Sequence, residues 1–442
     1  MGPRLRWRAR IESEGEIIMK KEFIEALESA GLTGWLINEI KKESFQLFYV
    51  HEKLETVRYV DTVDTKVTIY LRHDGSMGSA SFSVYSSTEY GVFAALLENA
   101  KRTALSVNDQ PYELVACEEA SYEPNSNFVS IGVKEAAALV AKAVFKAKHK
   151  EGGALNATEV FANKIVESVL SSTGLDKKES YYDVMVETIP TWNGDGESVE
   201  IYEAFHINEF NEEEIVNEVE EKLREVEQRY YARKPAESLN VPILLRAPEL
   251  RSLFESICGL LTYSTLYRQS GLYKEGDAIQ SSPEGDKITL SAKGSIPGVI
   301  GSGYFDGDGS SYRDAVLIDD GIVKRFFGGN RYAQYLNLPN TGNLPLLEVS
   351  SGSLEEGQLQ EKPYLECISF SGIQVDPFND YIGGEVRLAV LHNGKEATPV
   401  TGISISGSLK ETLNHIVFSS SMKKISYYYG PTCALIEGMK IL

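Results

Sequence analysis

Histidine is scarce in this chain. His51, His73, His149, His206, His392 and His415 are all there are among 442 residues, and no two stand three to five positions apart. A catalytic zinc needs three protein ligands, and one helix supplies two of them only from a pair spaced by about one turn, so the sequence holds no helical zinc pair. His51 and Glu52 fall in a strand-like stretch with no second histidine nearby, and His73 and His392 read as turn residues. Cysteine is as thinly spread: Cys117, Cys258, Cys367 and Cys433 form no C-x-x-C pair and read as buried free thiols in a reducing compartment, neither disulfides nor metal ligands. No apolar run approaches the ~20 residues of a membrane span. No G-x-S-x-G elbow is present, since Gly301-Ser302-Gly303 and Ser350-Ser351-Gly352-Ser353 lack the strand–turn–helix context, which leaves a serine triad without support. Positive charge is also short, 44 Lys and Arg against 64 Asp and Glu, and the net charge of −20 repels phosphate backbones and anionic lipid. Nucleic acid and membrane are therefore excluded as direct partners.

What is present is enough chain for two domains of about 200 residues each. The first eighteen residues carry Arg4, Arg6, Arg8 and Arg10 without an apolar h-region, and read as a disordered or over-called extension rather than a secretory signal. From Met19, a helical stripe (Phe23, Ile24, Leu27, Ala30) ends at Gly31; alternation then runs from Ser44 to Tyr85 with a hairpin turn at His73-Asp74-Gly75, and a second helix spans Thr88 to Val107. The order repeats: a helix in VKEAAALVAKAVFKAKHK, strands over Ala157–Ser172 and Tyr181–Phe205, and a charged helix over 211–231 capped by Asn211. This predicts an α+β fold with an N-terminal domain (19–235) of two helix–β-meander–helix units whose strands can join one layer. Lys234-Pro235 marks the boundary. Beyond it, glycine and β-branched residues dominate, with hairpin signals at Asp320-Gly321 and Asn393-Gly394, so residues 236–442 read as a β-rich, barrel- or sandwich-like domain with few helices. One late helix is expected over Ser408–Phe418.

The organising stretch is Ala247 to Gly309. PELRSLFESICGLLTYSTLYR reads as one helix whose buried face carries Leu250, Leu253, Phe254, Ile257, Cys258, Leu260 and Leu261, with Glu255 on its solvated flank. The run GSIPGVIGSGYFDGDG follows. Gly298–Gly303 is not a dinucleotide fingerprint, because no helix follows it, and Asp306-Gly307-Asp308-Gly309 is not a calcium loop, because its twelfth position is Leu317. Glycines there serve a turn, a close backbone approach, or a sheet edge to which an extended peptide can add a strand.

The segments LLRAPELRSLFESICGLL, SAKGSIPGVIGSGYFDGDG, DDGIVKRFF, LPNTGN and GPTCALIEGMKI resemble the TldD/PmbA family, a peptidase U62 type also known as modulators of DNA gyrase. The resemblance covers most of the chain from about Met19. In that family one subunit resembles a zinc protease with an H-E-x-x-x-H helix, and its homologous partner, the TldE/PmbA branch, lacks the ligands. Here the motif's place falls on Phe254-Glu255-Ser256-Ile257-Cys258-Gly259. Phe254 and Gly259 stand where histidines would be, and Glu255 alone has no activated water to deprotonate. The remaining ligand in zinc-bearing members is a cysteine near the C-terminus; Cys433 is the candidate, and it reads as a small buried hydrophobe. The resemblance therefore implies a zinc-less subunit without metal or other cofactor, working with a zinc-bearing TldD-like partner on unfolded peptides in cytoplasmic proteolysis or peptide maturation. It also implies a peptide channel, along which Gly301, Gly303, Tyr304 and Phe305 are placed. A homo- or heterodimer is expected, supported by the aromatics Phe326, Phe327, Tyr332, Tyr335, Tyr427, Tyr428 and Tyr429. The alternative is a stand-alone homodimeric peptide-binding protein. Any effect on gyrase would be indirect.

Overall fold

The computed structural model describes residues 19–442; the expectation for residues 1–18 lies outside them. Alternation of side chains governs the first half. Helix α1 (Lys21–Ser29) buries Phe23, Ile24 and Leu27, and leads into strands β1 (Gly34–Val50), β2 (Lys53–His73) and β3 (Ser76–Val84), closed by α2 (Tyr90–Ala104). The hairpin turns need residues that tolerate positive φ: Asp74 and Gly75 stand at 48° and 80°, and His51 and Glu52 at 45° and 61°. His51-Glu52 is thus a turn, not the strand its neighbours suggest. After β4 (Glu119–Tyr122) comes α3 (Gly132–Val144). Strands β5 (Gly153–Ser171), β6 (Asp176–Trp192), β7 (Val199–Glu200) and β8 (Glu203–Ile207) follow, and α4 (Glu212–Tyr231), capped by Asn211, ends the unit.

These strands make one sheet in the order β3-β2-β1-β5-β6-β4, with β7 and β8 also on β6. The meanders β1–β2–β3 and β5–β6–β8 meet where β1 runs antiparallel to β5, residues 36–50 against 157–171. One face carries all four helices. Phe23, Leu27, Phe93 and Leu97 pack on Ile37 and Val67, while Val140, Val144, Ile215 and Val219 pack on Leu47, Val160 and Val184. The opposite face meets the second half of the chain at one end, where Phe305 packs among Leu36, Tyr70, Val169 and Leu175.

The second half opens with the buried strand β9 (Ile243–Arg246) and helix α5 (Ala247–Gly259). The helix stops there. Leu260 and Leu261 link it to a separate turn of helix, α6 (Tyr263–Tyr267), because the Thr262 hydroxyl accepts the Thr265 N–H at 3.2 Å and caps a new start. Strands β10 (Leu290–Lys293), β11 (Ala315–Asp319) and β12 (Ile322–Val323), then α7 (Asn330–Leu336), β13 (Leu346–Val349) and α8 (Glu356–Leu359), continue the chain. The long hairpin β14 (Tyr364–Asp376) and β15 (Tyr381–Asn393) is followed by β16 (Glu396–Val400), β17 (Ile403–Gly407), α9 (Leu409–Asn414) and β18 (Ile416–Phe418). The last strands are β19 (Met422–Ile425), β20 (Tyr428–Pro431), β21 (Cys433–Ile436) and β22 (Lys440–Ile441). The helix expected to Phe418 is therefore only α9; Ile416–Phe418 is drawn into the sheet by β21. One six-stranded sheet (β12-β11-β10-β13-β20-β19) and one eight-stranded sheet (β18-β21-β9-β14-β15-β17-β22, with β16 on β15) share a core. Helix α5 lies inside it, with Leu250, Leu253, Phe254 and Ile257 packed among side chains of both sheets.

Candidate functional site

The glycine-rich run lies across the helix-free face of β5 and β6, and between them is a cleft of about 380 Å³ lined by Gly301, Gly303, Tyr304, Phe305, Glu179 and Tyr427 among others. Each candidate peptide-binding residue has a distinct place in it. Gly301 has φ +93°, and a Cβ there would stand 2.3 Å from the Tyr427 ring, so only glycine fits. Gly303 donates its N–H to the Gly294 carbonyl at 2.9 Å, and its bare Cα leaves room for the Glu179 carboxylate. Tyr304 donates its backbone N–H to Glu179 Oε2 at 2.8 Å and stacks its ring on Tyr122 at 4.0 Å between centroids. Phe305 borders the cleft, but its ring is turned into the apolar cluster under the sheet and serves as an anchor.

The motifs that flank the cleft hold its wall. The buried Asp306 accepts N–H groups from Asp308, Ser310 and Asn343, each at 3.0 Å, and the Asn343 side-chain amide at 3.1 Å. Asn340 donates to Ser310 Oγ at 2.8 Å. The D-G-D-G turn and the L-P-N-T-G-N segment are thus two halves of one clamp. Across from them, fully buried Lys177 reaches Glu118 at 2.7 Å and Ser311 Oγ at 2.6 Å, tying β6 to the clamp. Sequence reasoning missed Lys177 and Glu179, because alternation places them on a sheet face without saying what that face meets. Burial pushes the Glu179 carboxyl up to about 7, with Glu167 adding to the shift and the Tyr304 N–H opposing it.

Phe254, Glu255 and Gly259, the residues expected at the zinc motif's positions, lie on α5. Phe254 has no exposure and its ring lies 6.0 Å from that of Phe418. Glu255 is on the solvent flank, paired with Arg251 Nε at 2.6 Å, one turn away. Gly259 ends the helix with open space around it. Neither Phe254 nor Gly259 brings a metal donor, and the Phe254 ring is buried in the apolar core, so the residues present do not fit a catalytic zinc. Cys433 does not join them: Ala434 and Ile436 of β21 face the core that holds Phe254, whereas Cys433 faces the other way, among Leu244, Leu359 and Tyr364. Burial pushes its thiol up to about 11. The helix and the cleft touch through Arg251, whose guanidinium lies 5.5 Å from the centre of the Tyr427 ring.

Other expectations are corrected by the packing. His392 is in strand β15, its ring 2.9 Å from Glu366 and stacked on Tyr364, not in a turn. Cys117 is exposed, unlike the other three cysteines. Phe326, Phe327 and Tyr428 are buried within the chain and supply no surface for a dimer.

Residues 238–442 match the family model described as PmbA/TldA metallopeptidase C-terminal domain. Over those residues the chain is similar to the TldD/PmbA family. It is similar to a zinc metalloprotease TldD homolog of Saccharolobus solfataricus, 28% identical over 132 residues, and to a metalloprotease TldD homolog of Buchnera aphidicola, 24% identical over 189 residues. Those matches take in 26% and 38% of this chain and span only 29% and 37% of the two relatives' own lengths. Its fold is that of the crystal structure of TldE from Thermococcus kodakarensis, with a TM-score of 0.77 over 95% of this chain and 99% of that one, at 16% identity.

Proposed function

We propose that this chain is a zinc-less, TldE/PmbA-like subunit that pairs with a zinc-bearing TldD-like homologue and guides unfolded peptides in cytoplasmic proteolysis or peptide maturation. The observation that carries the reading is Phe254, an apolar ring without exposure at the position of the motif's first histidine. Glu255 then has no metal-bound water to act on, and its ion pair with Arg251 is the ordinary use of a helix-flank carboxylate. The cleft supports the second half of the reading: it is bordered by glycine-rich backbone that an extended peptide can approach closely. In this scheme residues 19–235 form one domain and residues 236–442 the other, with the cleft between them.

The test is reconstitution with a TldD-like partner and measurement of peptide cleavage. Glu255→Gln should leave the activity of the pair within about threefold, whereas loss of a general base lowers rates by ~10²–10⁴. A well-folded Glu255→Gln complex with a hundredfold loss would mean that this chain contributes chemistry. If the chain ignores such a partner, self-associates and binds peptides alone, the stand-alone homodimer replaces the paired subunit.

A further inference from the structure

The cleft is lined by five carboxylates, Glu123, Glu167, Glu179, Asp183 and Asp306, and by no lysine, arginine or histidine among the described residues; the cations at its edge are Arg251, 5.5 Å from the Tyr427 ring and paired with Glu255, and Lys424, whose Nζ lies beside Gly298. Two of the five are accounted for by neighbours: Asp183 meets His206 at 2.7 Å, and Asp306 is held by the N–H groups of its clamp. Glu167 and Glu179 are different. They stand directly opposite each other across the β5–β6 pair, an arrangement that destabilises a sheet when both are charged. Glu179 is only 6% exposed. Its Oε2 takes the Tyr304 N–H, while its Oε1 accepts no hydrogen bond from any described residue. Glu167 accepts the Tyr181 hydroxyl at 2.7 Å, and neither glutamate has an ion-pair partner among the described residues. The lysine on the same face of the neighbouring strand, Lys42, lies opposite Ile165 and forms no ion pair with either. A buried carboxylate left without a countercharge costs stability, so buried Glu179 beside half-buried Glu167 is suited to receive a cation from outside. Tyr181, Tyr304, Tyr312 and Tyr427 also line the cleft, and aromatic faces attract ammonium and guanidinium groups.

We infer that the cleft selects the cationic group of a bound peptide, a lysine or arginine side chain or a free amino terminus, and holds it between Glu179 and Glu167 among the tyrosine rings. This rests on the reading of the cleft as a peptide site. It adds what that reading lacks, a chemical preference: glycine-rich backbone accepts any extended chain, whereas two uncompensated carboxylates discriminate by charge.

Fluorescence anisotropy on the full chain tests it, using short labelled peptides that are acetylated and amidated and differ only in a central Lys, Leu or Glu. A fourth peptide has the central Leu and a free amino terminus. The Lys peptide should bind roughly tenfold tighter than the Leu peptide, the Glu peptide weakest, and added salt should erode the difference. Glu179→Gln and Glu167→Gln, near-isosteric changes checked by thermal melts, should each remove most of that advantage, bringing the Lys-peptide and Leu-peptide affinities to within about twofold of each other. Tight binding of the free-terminus Leu peptide identifies the amino terminus as the source of the cation, and tight binding of the acetylated Lys peptide identifies the side chain. Equal binding of all four peptides, insensitive to salt and to both variants, overturns the charge preference but leaves the peptide site standing. No binding by any peptide overturns both.

Discussion

At the first turn of α5, Glu249 is 9% exposed and its Oε2 has no hydrogen-bond partner among the described residues. Burial pushes its carboxyl up to about 7, against the opposing pull of Arg246 and Lys222. A carboxyl raised in the folded state favours the protonated form there, so the fold is undiminished below the unfolded value near 4.3 and loses stability as pH climbs from there to about 7. Glu249→Gln should therefore stabilise the chain at pH 8 by ~1–3 kcal/mol and have little effect at pH 4. Thermal melts at the two pH values check this; a variant less stable than wild type at pH 8 would show that the carboxylate has a partner. Residues of this kind are hard to read from sequence. Alternation and helical periodicity predicted Phe254 on a buried face and Glu255 on the flank, and both are there. Glu249 sits at a position where the amphipathic pattern leads one to expect solvent, and only the sheet packed over it makes it costly.

Elements follow the same division. The hairpins form where Asp-Gly and Asn-Gly stand between alternating runs, since those residues carry positive φ cheaply; Asp320 and Gly321 adopt 53° and 78°. Helix ends were less legible. The apolar stripe continues past Gly259, so periodicity alone predicts one helix to Arg268, yet the Thr262 hydroxyl starts a new turn instead. The glycine-rich run is the element whose form depends most on its surroundings, because its shape follows what it lies against. At Gly301, positive φ and a Cβ position 2.3 Å from the Tyr427 ring forbid a branched side chain. Gly301→Val should cost ~2–4 kcal/mol and weaken binding of every peptide in the cleft, through strain and displacement of Tyr427. Gly307→Ala is the control, since a Cβ there meets nothing within 4 Å. Equal melting temperatures and equal peptide binding for Gly301→Val and wild type would remove Gly301 from the wall of the cleft.

For the whole molecule, the junction between α4 and the sheet that holds β9 and β14 is ionic: Arg246 of β9 reaches Glu221 at 2.8 Å and Glu225 at 2.9 Å on α4, and Glu366 of β14 at 2.8 Å. Together with the hydrogen bond from Lys177 Nζ to Ser311 Oγ and the buried Phe305, this joins the first half of the chain to the second beside the cleft. The expected metal content belongs to this scale. Tag-free protein should carry well under one zinc per chain by elemental analysis, because Phe254 and Gly259 bring no donor. One tightly held zinc, lost on replacing any native histidine, would overturn the zinc-less reading. The sequence by itself determined the two successions of helix, meander and helix, the hairpin turns, the buried face of α5 and the lack of paired metal ligands, since each depends on local periodicity, backbone preference or side-chain chemistry. Tertiary structure alone decided that the two meanders share one sheet, that Cys433 turns away from Phe254, and that Glu179 meets the Tyr304 amide across 125 positions of chain. Contacts of that kind arise from which surfaces pack together, and no pattern within either segment encodes its partner.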